Sequence, residues 1–106
     1  MTQREGRIGR YVRMVAQPGQ GDALAEQLLH VADGLRDVPG CELYIINREP
    51  DEADTVWVTE VWTSQEASDA ALSQDLGDAG IGRVLSLLAG PPDLIDLAPV
   101  GGPGLR

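Results

Sequence analysis

Lysine is absent from these 106 residues, and all eight basic side chains are arginine. Without lysine there is no Schiff base to a carbonyl substrate and no covalently held pyridoxal phosphate. Cysteine and histidine occur once each, as Cys41 and His30. A single cysteine excludes an intrachain disulfide, and one Cys with one His is too small a set for a zinc site. A Ser-His-Asp triad would have to use His30, and nothing in the spacing supports one. There is no Gly-x-Gly-x-x-Gly fingerprint and no Walker loop. The glycine-rich Gly101-Gly102-Pro103-Gly104 has no helix after it to receive a phosphate. No apolar run reaches membrane-spanning length, and Met1 to Arg10 lacks the apolar centre of a signal peptide, so a cytoplasmic protein is expected. The net charge of −9 argues against a nucleic-acid partner, which needs a basic patch.

What is present reads as one small domain whose core is shallow enough for a partner subunit to help. Arg7 to Gln17 alternates as a strand. Pro18-Gly19-Gln20-Gly21 turns the chain, and Asp22 is a candidate cap for a helix to about Arg36 with Leu24, Leu28, Val31 and Leu35 on one stripe. Pro39-Gly40 ends that segment, and Cys41 to Glu49 is a second strand. Pro50 to Asp54 reads as a polar loop, and Val56 to Trp62 as strand three. Thr63 and Glu66 then form a capping box for a helix opening at Ser64. That helix breaks near Gly77 to Gly80. A second piece follows with Ile81, Val84, Leu85 and Leu88 at helical spacing, stopped by Gly90 and Pro91-Pro92. Asp93 to Val100 is the last strand. The order β-α-β-β-α-β predicts a ferredoxin-like α+β sandwich: one antiparallel sheet with both helices on one face. A flexible N-terminus (1–6), the domain (7–100) and a tail (101–106) complete the layout.

Neither face of the strands is polar. Val56, Val58 and Trp62 are matched by Trp57 and Val61, and Leu43 and Ile45 by Tyr44 and Ile46. The helices cover one face, so a second subunit is expected on the other, giving a homodimer.

Period-two alternation puts Glu60 and Trp62 side by side on one sheet face, just before a helix opens. Both have two readings. Trp62 is either core or a substrate contact. Glu60 is either a base with a raised pKa or one half of an ion pair with Arg10 or Arg13. Cys41 reads as a small buried hydrophobe. His30 lies off the apolar stripe and reads as solvent-facing. Asp75 and Asp78 either bind a metal or mark a loop, and Tyr11 and Tyr44 either meet a substrate or edge an interface.

Pro18-Gly19, Pro39-Gly40-Cys41 and Glu60-x-Trp62-x-Ser64-x-x-Ala67, in that order on those elements, resemble the antibiotic biosynthesis monooxygenase family of dimeric α+β barrels. The resemblance spans about residues 7 to 100. It implies a cofactor-independent monooxygenase that uses O2 on a small planar quinol, phenol or anthrone. A non-catalytic dimeric small-molecule-binding module of the same fold is the alternative. Family enzymes that oxygenate anthrones use a Trp at the strand end held here by Trp62. Two Asn positions of those enzymes are Arg13 and Val58 here. The haem-degrading branch needs an Asn near Val12, a Trp at Ala71 and a His at Ile81, and all three are missing. Many other members carry a His at the Ala71 position. On the enzyme reading Trp62 packs on the substrate, Glu60 or a substrate-bound water takes the proton, and Arg13 steadies the anion. Val58, Ala71, Ile81 and Leu85 line the pocket. No metal or other cofactor is expected.

Overall fold

A computed structural model of the chain describes residues 6–73 and 81–105, Ile81 by its backbone alone. The elements are β1 (Ile8–Val15), α1 (Gly21–Gly34), β2 (Cys41–Glu49), β3 (Glu52–Trp62), α2 (Gln65–Leu72), α3 (Ile81–Ser86) and β4 (Asp93–Leu97). All pairings are antiparallel, in the order β2-β3-β1-β4. This is the ferredoxin-like topology expected from the element order.

The helices share one face of the sheet. Val12 and Met14 of β1 and Val56, Val58 and Trp62 of β3 form one cluster with Leu24, Leu28 and Val31 of α1, Ala71 of α2 and Val84 of α3. Every second residue of a strand points that way, and every third or fourth residue of a helix answers it. The opposite face is open. Tyr11, Ile45, Ile95 and Leu97 lie between 42% and 48% exposed, far more than a covered sheet face would allow.

Three local details differ from the sequence reading. Helix α2 is capped by Ser64, whose hydroxyl accepts from the Ala67 N–H at 3.0 Å, so Thr63 and Glu66 do not form the capping box. Ser64 has the extended backbone of an N-cap and lies three residues before a free helix N–H. Thr63 instead closes against the Pro39-Gly40 turn, its N–H donating to the Gly40 carbonyl at 2.9 Å. Helix α1 begins at Gly21 rather than at an Asp22 cap. The carboxylate of Asp54 accepts from the N–H groups of Gly21 at 3.0 Å and Gly19 at 3.1 Å. Asp54 is therefore a strand residue with a capping task, because β3 starts at Glu52 instead of Val56. Finally, α3 buries Val84 while Leu85 stays exposed, and Leu88 is buried just beyond the helix, where it bridges to Ala16.

Candidate functional site

Glu60 sits in the middle of a polar row that crosses all four strands. Register pairs Tyr44 with Glu60, Glu60 with Arg10, and Arg10 with Asp96. All four therefore lie on the helix-covered face. Glu60 is buried, with only 4% of its surface exposed. Its Oε1 accepts from the Trp62 indole Nε1–H at 2.8 Å and from Arg10 Nη1 at 3.4 Å. The other arm of Arg10 reaches α2, where Nη2 donates to the Ser68 hydroxyl at 3.2 Å. Arg10 Nε also lies 3.8 Å from Asp96 Oδ1 at the solvent edge.

Burial pushes the Glu60 pKa above the ordinary carboxylate value, and the Trp62 hydrogen bond and the Arg10 charge only partly oppose it. The Tyr44 phenol is pushed up as well, by burial first and by the neighbouring Glu60 second. Burial, then Glu60 and Glu42, raise the Cys41 thiol, which keeps it protonated and removes the thiolate needed for attack.

Oε2 of Glu60 has no hydrogen-bond partner among the described residues, where every fully buried polar side-chain atom does have one. One carboxylate oxygen is anchored, and the other is free to exchange a proton. That is a workable arrangement for a general base.

The structure brings together some of the expected site residues and separates others. Val58 and Ala71 are buried in the same cluster as Trp62. Arg13 is on the opposite sheet face, paired with Trp57 in register and 3.8 Å from Asp93, so it is not at Glu60. Arg10, three residues earlier, takes the place beside the carboxylate. Leu85 is 52% exposed and walls nothing at this site. The Ile81 side chain and both Asp75 and Asp78 lie outside the described residues. His30 is exposed on α1, and Tyr11 is on the open sheet face. Among the described residues no group of three metal-binding side chains occurs. Ser68 belongs to no chemical motif in the sequence. Its one signal is spacing, since Ser64, Ser68 and Ala71 fall on one side of a short helix.

Around Trp62 the described part of the helix–sheet gap is filled, as the indole has no exposed surface. Open space occurs elsewhere. A cleft of about 470 Å³ runs between α1 and the free edge of β2, lined by Leu29, Leu35, Cys41, Leu43, Tyr44 and Ile46 among others.

The family model described as Antibiotic biosynthesis monooxygenase matches residues 7–77. Among solved structures, a Chloroflexus aurantiacus J-10-fl protein provisionally described as an antibiotic biosynthesis monooxygenase is 37% identical. The match covers 94% of this chain and 99% of that one, with a TM-score of 0.81. A Caulobacter crescentus CB15 protein with the same provisional description is 25% identical over 91% of this chain and 92% of its own, with a TM-score of 0.80. A conserved protein from Methanosarcina mazei Go1 shares the fold at 13% identity, covering 90% and 94%, with a TM-score of 0.78. A comparison with curated proteins gives no match.

Proposed function

The chain belongs to the antibiotic biosynthesis monooxygenase family, and from that membership and the Glu60 geometry we propose that it is a cofactor-independent monooxygenase acting with O2 on a small planar quinol, phenol or anthrone. The observation that carries the reading is the buried Glu60 carboxylate, anchored at Oε1 by Trp62 and Arg10 and free at Oε2. A carboxylate so placed takes a proton from an acidic C–H or O–H more readily than one in water, because burial strengthens its basicity.

For an anthrone-type methylene the balance is simple. Glu60 removes one proton and leaves a carbanion. The carbanion gives an electron to O2, and the pair collapses to a C–O–O bond. Protonation gives a hydroperoxide, which loses its remaining C–H proton as the O–O bond breaks. One oxygen stays as a new carbonyl and the other leaves as water. The substrate supplies all four electrons, so no flavin or metal enters the scheme. Trp62 holds the carboxylate, and the Arg10 charge stabilises the anions that form. Val58 and Ala71 keep the surroundings dry.

The acting unit in this proposal is a homodimer, with the open sheet faces packed together. Tyr11, Ile45, Ile95 and Leu97, with the half-buried Trp57 among them, support it. A cytoplasmic setting belongs to the same proposal, as a lone cysteine calls for no oxidising compartment.

A second reading rests on Trp62, which is fully buried with its indole N–H already engaged by Glu60. A side chain so sealed favours a dimeric module that binds a small molecule without turning it over. Oxygen uptake with a panel of reduced quinols and anthrones, no cofactor added, separates the two. The expected result is uptake above the uncatalysed rate that disappears in Glu60→Gln. Binding without uptake would overturn the enzyme reading in favour of the module.

A further inference from the structure

Arg10 is the one side chain at the site that touches three other elements. From β1 it reaches Glu60 on β3, Ser68 on α2 and Asp96 on β4. Its bond to Ser68 is, among the described residues, the one hydrogen bond joining the strands to α2. Both ends of that bond are poorly hydrated, since Ser68 is 1% exposed and the Arg10 side chain 13%. Asp96 is 89% exposed and takes the solvent side of the guanidinium.

We infer that Arg10 is the positioning residue of this site, with one guanidinium gripping Glu60 and Ser68 together so that the charge state of Glu60 depends on where α2 sits. The inference rests on Glu60 being the base proposed above. One rigid fork serves both partners at once. With Ser68 in place, Nη2 is fixed toward α2, and Nη1 is held near Oε1 at a long 3.4 Å. If α2 moves away, the fork loses its outer anchor and is drawn toward water and Asp96. Glu60 then keeps only the indole bond, and its affinity for the proton rises. The Arg10 charge opposes the burial-driven rise of the Glu60 pKa, so withdrawing it raises the proton affinity further.

The other groups facing Glu60 cannot substitute. Tyr44 and Cys41 approach from β2, and the nearby Glu60 charge helps to keep both protonated, so neither supplies a positive charge. Trp62 donates from the same strand and is neutral. Helices α1 and α3 face the core with Leu24, Leu28, Val31 and Val84, which are apolar.

The test uses the whole chain labelled with 15N and follows the Trp62 indole N–H resonance against pH, since its acceptor is Glu60. The Trp57 indole, whose acceptor is Glu49 at 2.9 Å on the open face, is the internal control for folding. In Arg10→Gln the Trp62 midpoint should rise by about one pH unit, a tenfold tighter proton, and Arg10→Lys should recover part of it. Ser68→Ala should move the midpoint in the same direction by a smaller amount, and it tests the link to α2 even if the Arg10 variants unfold. An unchanged midpoint in a folded Ser68→Ala overturns the link to α2. An unchanged or lowered midpoint in folded Arg10→Gln overturns the role of Arg10. None of these readouts needs turnover, so a chain that binds but does not oxidise would still give them. If the chain does oxidise a substrate, the pH profile of oxygen uptake should move by the same amount as the indole midpoint.

Discussion

Replacing Trp62 with Phe removes two things at once. The side chain has no exposed surface, so the smaller ring leaves a gap of roughly 40 Å³ and costs about 1 kcal/mol at the usual cavity rate. It also deletes the 2.8 Å hydrogen bond to Glu60 Oε1, a bond to a charged acceptor in a dry place, for about 1.5–3 kcal/mol more. The sum is about 3 kcal/mol, a large part of the stability of a domain this size, yet short of unfolding it. Trp57→Phe is the matched control. Its indole also bonds a glutamate, Glu49, but from a half-buried position on the open face, so about 1 kcal/mol or less is expected. Urea unfolding reads the difference directly. With a slope of about 1–3 kcal/mol per molar, Trp62→Phe should lower the midpoint by one molar or more and Trp57→Phe by well under that. If the enzyme proposal holds, folded Trp62→Phe should also lose at least about tenfold in oxygen uptake, equivalent to ~1.4 kcal/mol of transition-state stabilisation. A Trp62→Phe midpoint within about 0.3 M of the parent, or a larger loss in Trp57→Phe, would refute this assignment of the two faces.

Glu60 gives a pH signature. Its folded pKa lies above the ordinary 4.5, so its contribution to stability is full below 4.5 and is lost as pH rises through the raised folded value. Parent and Glu60→Gln stabilities, measured by urea from about pH 4 to pH 8, should therefore diverge over that window, with the parent losing ground; parallel curves would contradict the buried-carboxylate account. Asp54→Ala should cost about 1–2 kcal/mol by uncapping α1 at Gly19 and Gly21, seen as a lower helical melting temperature, and an unchanged melt would show the cap to be idle. Light scattering after size exclusion at micromolar concentration should give a dimer, and Trp57→Phe should weaken it; a clean monomer would remove the case for the covered sheet face.

The element order and strand β2 were legible in the sequence because their signals are local. Pro39-Gly40 punctuates, the apolar run Leu43 to Ile46 follows it, and period two fixes Glu60 and Trp62 on one face whatever the rest of the chain does. What was not legible depends on register. Ile8, Arg10, Val12 and Met14 alternate with Tyr11, Arg13 and Val15, and both sets are partly apolar, so composition does not say which faces the helices. The pairing of Arg10 with Glu60 decides it, and that is a long-range fact spanning fifty residues. Arg13, odd where Arg10 is even, is carried to the other face by the same rule. Asp54 was hidden for a similar reason. A carboxylate in a polar run reads as loop, and only the approach of Gly19 and Gly21 from another element makes it a cap. Leu85 shows the limit of helical spacing in a six-residue helix, where several neighbouring phases fit the apolar positions equally well.

Oxygen is small enough to reach a nearly closed site, but a planar aromatic is not, and the described gap over Trp62 is full. Opening must therefore come from whichever layer is held least firmly. The sheet is laced by continuous strand pairing, and α1 buries Leu24, Leu28, Val31 and Leu35 against it. Helix α2 has eight residues, buries only Ser68 and Ala71, and among the described residues is hydrogen-bonded to the strands by the Arg10–Ser68 bond alone. Among the elements bonded to Glu60 or Arg10 it is the one not held by strand pairing. The same bond that lets α2 go is the one that holds the Arg10 fork. Admission of a substrate and a stronger pull of Glu60 on a proton would then be two consequences of one displacement.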